Sequence, residues 1–123
     1  MEKKRSILKE KSFAFAIRIV KLYRSLCEDN REFVLSKQLL RSGTAIGALV
    51  REAQNAESKA DFIHKLGIAQ KETDEALYWL ELLKETGFLD EQEFLSVSLQ
   101  ATELLKIIRS SILTSKNNIQ NNS

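Results

Sequence analysis

The one histidine of the chain, His64, closes the run Asp61-Phe62-Ile63-His64. On a helix that acid-x-x-His spacing puts a carboxylate and an imidazole on one face. Carboxylate-bridged di-metal bundles use two such units plus further glutamates, and a single histidine supplies one. The one cysteine, Cys27, needs a base or another pKa-lowering neighbour to act as a nucleophile, and it reads as a packed structural thiol. Glu72, Asp74, Glu75, Glu81 and Glu85 could suggest acid–base work, but at helical spacing they spread around the circumference and make a solvated acidic face. No Gly-rich phosphate loop or hydrolase elbow occurs. The expectation is a protein with no catalytic residues, no metal site and no cofactor.

Cations offer a different chemistry. The chain has 19 Lys and Arg against 17 Asp and Glu, a formal charge of +2. That small total hides a strong asymmetry. Residues 1–27 hold eight basic and two acidic groups, a net of +6, while residues 61–100 hold three basic and nine acidic, a net of −6. Lys11, Arg18 and Lys21, with Lys37, Arg41 and Arg51, are the candidate phosphate-binding set. Such contacts carry affinity without a sequence code.

Gly43 and Gly47 stand four apart, on one helical face. Each costs about 1 kcal/mol relative to Ala within a helix. A pair of this kind lets a second backbone approach closely, either another helix of the same chain or another subunit.

The elements that must carry these residues are helices. Proline is absent, so nothing forbids long ones. Apolar positions recur with a 3.6-residue period over about 6–27, 31–56, 59–86 and 90–113. Asn30 is the expected N-cap of the second segment. Ser58 with Asp61, and Asp90 with Glu93, have capping-box spacing. Gly87 before Phe88 and Leu89 reads as a left-handed C-cap. Phe13, Ile17, Val20 and Tyr23 make the first segment apolar over more circumference than one core covers. The fold class expected is all-α, an antiparallel up-down four-helix bundle formed by residues 1–115, with residues 116–123 as a disordered polar tail. The acidic third helix could meet the basic first one.

With 123 residues, the chain fits one domain. A lone cysteine forms no internal disulfide and suits a reducing compartment. The basic start, Met1 to Ser12, has no apolar signal core, and no apolar run approaches the ~20 residues that span a membrane. The expected location is the cytoplasm, with no membrane partner.

The stretch from Gln38 to Ala53, with Arg41-Ser42-Gly43-Thr44 and Ile46-Gly47-Ala48 at its centre, and the run from Ala56 to Ala76 followed by Tyr78-Trp79-Leu80, resemble a known signature. The chain is similar over about residues 10–115 to the bacterial four-helix-bundle family of large-subunit (23S) rRNA intervening-sequence proteins. Ala45 stands where that family commonly has Ser, and Leu49 where it commonly has Asn. The resemblance implies an up-down bundle assembled as a homopentamer. It also implies kinship with the accessory variability determinant of diversity-generating retroelements, which binds nucleic acid and a reverse transcriptase through a basic surface. The combined expectation is a non-enzymatic oligomeric adaptor that binds RNA or DNA through phosphate contacts. The alternative is an oligomeric protein-interaction module with no nucleic-acid role.

Overall fold

The computed structural model describes residues 2–122, with side chains for 3, 5 and 7–118. Met1 and Ser123, the outermost residues of the expected domain and tail, lie outside the described residues. Among those described, the chain is all-α: α1 spans Glu2–Asn30, α2 Leu35–Gln54, α3 Lys59–Glu85 and α4 Glu91–Asn122, with no strand.

Side chains from all four helices meet in one core. Phe15, Ile19 and Leu26 of α1 pack with Leu39, Ile46 and Val50 of α2, Leu66, Leu80 and Leu83 of α3, and Val97, Leu104 and Ile108 of α4. Each of these is essentially excluded from solvent, and burying one such side chain contributes about 1.5–3 kcal/mol. Around the core α1 packs on α2, α2 on α3, α3 on α4 and α4 on α1, and the diagonal pairs meet only through side chains, as where the Arg5 guanidinium of α1 lies 4.7 Å from the centre of the Phe62 ring of α3.

The cross-helix contacts follow a consistent order. Gln54 Nε2 donates to the Arg5 carbonyl (2.8 Å), Gly47 faces Ser12, Gly43 faces Ile19, and Cys27 Sγ lies 3.9 Å from Ser36 Oγ. Between α2 and α3, Glu52 pairs with Lys65 and Arg41 with Glu72 and Glu75. Between α1 and α4, Lys11 pairs with Glu103 and Arg18 with Glu93.

Two of the three turns are built as their residues dictate. Ser58 is extended (φ −153°, ψ 167°), and its hydroxyl accepts the Asp61 N–H at 3.0 Å. Asp90 Oδ1 accepts the Glu93 N–H at 2.8 Å. After α3, Gly87 takes φ +86°. The Phe88 N–H then reaches the Leu83 carbonyl (2.9 Å) and the Gly87 N–H that of Lys84 (3.1 Å), which is the Schellman pattern.

The α1–α2 turn differs from expectation. Asn30 does not cap α2; it ends α1. Arg31 adopts φ +52°, a left-handed conformation that costs a non-glycine residue about 1–2 kcal/mol. This strain brings Glu32, only 8% exposed, beneath the start of α2. Glu32 Oε1 accepts the N–H groups of Val34 (3.2 Å) and Leu35 (2.9 Å), and Oε2 that of Ser36 (2.7 Å). One carboxylate thus satisfies three N–H groups that a helix start leaves without partners, and its charge complements the helix dipole. The Ser36 hydroxyl returns a bond to the Glu32 carbonyl at 2.7 Å.

The C-terminal tail also differs. α4 runs to Asn122 instead of stopping near Leu113. Extending an existing helix adds a hydrogen bond per residue without a new nucleation cost, and Ser111 and Ser115 are turned inward along the way.

Candidate functional site

The six cations expected to form one phosphate surface are divided by the fold. Lys11 and Arg18 project from α1 toward α4, where Lys11 bonds Glu103 and Arg18 reaches Gln100 Oε1 (2.6 Å) and Glu93 Oε2 (3.4 Å). Arg41 leans from α2 onto α3, between Glu75 (2.7 Å) and Glu72 (3.6 Å). These three charges are answered by carboxylates of their own chain. Lys21, Lys37 and Arg51 are exposed and have no ion-pair partner among the described residues. Arg51 instead lays its guanidinium over the Phe13 ring, 5.1 Å from the centroid.

Among the described residues the acids of the third helix therefore make no ion pair with the first, and the contact between the two is that of Arg5 with the Phe62 ring. α1 and α3 are diagonal, and the acids that neutralise α1 come from α4. Within the Glu72–Glu75 pair, burial comes first and the neighbouring Glu75 charge second in pushing the Glu72 carboxyl above its ordinary value, with Arg41 opposing. A carboxyl that binds its proton more tightly folded than unfolded contributes stability fully present below its unfolded pKa. That contribution is lost as pH rises through the folded value. Glu72→Gln is thus expected to raise the urea midpoint at pH 7, with its advantage shrinking as pH falls toward about 4. An equal or lower midpoint at pH 7 would contradict this.

Gly43 and Gly47 both face α1 of the same chain. A Cβ on Gly43 would fall 2.9 Å from both Ile19 Cγ1 and Cγ2, and one on Gly47 would sit 3.4 Å from the Ser12 carbonyl oxygen. Both serve the close α1–α2 crossing within the chain.

That crossing sets the outward side of α1 beside α2. Phe13 and Ile17 are 52% and 43% exposed, although both are large and apolar. With Ala16, Val20, Lys21 and Arg24 they line an open depression of ≈ 320 Å³. The period-3.6 excess of apolar residues on the first helix is the signal of this strip. Arg24, which flanks it, carried no such signal because nothing in its spacing separates it from the other cations.

Cys27 is half-buried, and its thiol and the Tyr23 hydroxyl are close enough that their contact pushes the phenol upward. Cys27 sits by the start of α2, next to Ser36, whereas His64 is on the α3 turn that pairs with the far end of α2 through Lys65 and Glu52. The two do not meet. Among the described residues no three His, Cys, Asp or Glu side chains gather as a metal would need, and no helix is long and apolar enough to cross a membrane. Leu49 packs against the core from the α2 side, so it offers no polar contact.

The chain is similar to known proteins both by family and by structure. Residues 4–110 match the family described as 23S rRNA-intervening sequence protein. The chain is also similar to the crystal structure of a protein of unknown function from the S23 ribosomal protein family of Bacteroides thetaiotaomicron, with 50% identity and a TM-score of 0.88 over 89% of this chain and 97% of that one. No curated protein matches.

Proposed function

The chain belongs to the family of 23S rRNA-intervening sequence proteins, and from that premise we propose that it is a non-enzymatic, self-associating adaptor that holds RNA or DNA by its phosphates in the cytoplasm. The fold that serves this is an antiparallel up-down bundle. The reversed order of the α1–α2, α2–α3 and α1–α4 contacts supports that arrangement. The observation that carries the functional reading is the outward α1–α2 face, an exposed apolar floor of Phe13 and Ile17 bordered by cations that no carboxylate answers.

A contiguous apolar patch at the surface, rimmed by polar residues, marks a contact with another macromolecule. A few cations on one copy bind a polyanion weakly. Repeated copies sharing one strand raise the effective concentration of every contact, so self-association and phosphate binding support each other. A homopentamer is the assembly that the family resemblance suggests, and a reverse transcriptase is the class of protein partner it suggests.

Titration of labelled single- and double-stranded RNA and DNA into the intact protein, at about 50 and 200 mM salt, tests this reading. Binding is expected to be insensitive to sequence and to weaken with salt, log K falling by about 0.7–0.9 per log unit for each phosphate contacted. No binding at the lower salt would leave the protein-interaction module as the better account.

A further inference from the structure

The self-association proposed above leaves open which surface covers the α1 strip. We propose that it is the outer face of α3 on a second copy, docked head to tail. Between Glu10 and Glu28, α1 carries no acidic residue, and the exposed floor of Phe13 and Ile17 is flanked by Arg24 and Arg51. A two-fold pairing of this strip with itself would set like charges together, which is costly where they are desolvated. The strip calls for an acidic partner with an apolar centre.

The same chain carries that partner on α3. Asp74, Tyr78, Glu81 and Glu85 recur with the spacing of Phe13, Ile17, Val20 and Arg24, so the two stripes have equal length. Tyr78 is 56% exposed, its ring held edge-on by Trp79 at 5.0 Å. A fixed, exposed tyrosine is a common anchor of protein interfaces. Asp74 and Glu81 are exposed and have no ion-pair partner among the described residues. Lys71 lies beside them on that stripe, and Glu85 at its end is paired with Lys84 at 3.6 Å.

Because α1 and α3 are diagonal in the bundle, the strip and its complement do not meet within one chain. A contact between two different faces leaves one of each free, so copies add until a ring closes. This assignment places Arg24 and Arg51 at the contact between copies, with Lys21 at its rim, and leaves Lys37 and the outer side of Lys21 for phosphate.

The test uses light scattering on wild type, Ile17→Glu and Tyr78→Glu, and on an equimolar mixture of the two variants. Both positions are exposed, and circular dichroism checks that the helices persist. Each variant alone is expected to weaken assembly about tenfold or more. The mixture should form a heterodimer through the one intact strip and the one intact α3 face. Should Tyr78→Glu lose helix, the paired reversal Asp74→Lys with Glu81→Lys replaces it, with Arg24→Glu and Arg51→Glu restoring assembly in the combined variant. Tyr78→Glu assembling as well as wild type, a mixture that stays monomeric, or a combined reversal without rescue would each overturn the inference while the self-association reading stands. A monomeric wild type would overturn both.

Discussion

Glu32→Ala lowers the unfolding free energy by about 2–3 kcal/mol, because three N–H groups at the start of α2 lose a charged acceptor together. Glu32→Gln keeps one acceptor oxygen and loses about half as much. Burial raises the Glu32 carboxyl, but the N–H groups of Ser36, Leu35 and Val34 outweigh it, and the net pKa is below its ordinary value. A carboxyl depressed in the folded state contributes stability that is present above its unfolded pKa and lost as pH falls through the folded one. The gap between wild type and Glu32→Gln in urea midpoint should therefore close as pH falls below about 4. Glu72 has the opposite sign, so the two residues bracket the acid limb of the stability profile from either side. A Glu32→Ala midpoint within error of wild type at pH 7 would show that the turn is held by something else.

Gly43→Leu costs about 3 kcal/mol or more by overpacking. Even the first added carbon meets Ile19 at 2.9 Å, with the Ile19 Cβ at 3.3 Å. Ile19 is fully buried and β-branched, with little freedom to swing away. Gly43→Ala is milder, since the gain of about 1 kcal/mol in helix propensity offsets part of the strain. Gly47→Ala makes only ordinary contact with Ser12 and is expected to be neutral or to stabilise by up to about 1 kcal/mol. Urea unfolding at one fixed protein concentration compares the series, since self-association makes midpoints concentration-dependent. A Gly43→Leu as stable as wild type would mean that α1 and α2 do not cross as described.

The parts legible in the sequence are those governed by local chemistry. Helix periodicity, the Ser58 and Asp90 caps and the left-handed Gly87 depend on residues within a turn of one another; the four helices are found in order, and the two caps and the glycine appear where the sequence puts them. The α1–α2 turn was not legible. Its capping group is Glu32, two residues before Val34, and it reaches its place only because Arg31 accepts a left-handed backbone that its side chain does not favour. The basic surface was half legible. Charge counting finds Lys11, Arg18 and Arg41 as readily as Lys21 and Lys37, but only the packing of α4 on α1 and α3 on α2 reveals which of them face carboxylates. The glycine pair carried two meanings in the sequence, and the Ile19 and Ser12 contacts give the intrachain one its geometry.

The claim that phosphate is held by the cations left unpaired is tested most directly by the salt slope of nucleic-acid binding in two neutralised variants. Lys21→Gln with Lys37→Gln removes unpaired charges, and Lys11→Gln with Arg18→Gln removes charges already paired with α4. The first variant is expected to bind more weakly and with a flatter slope, by about 0.7–0.9 for each phosphate it no longer neutralises, while the second keeps the wild-type slope. A second variant that flattens the slope as much as the first, or a first variant that leaves it unchanged, would contradict the account.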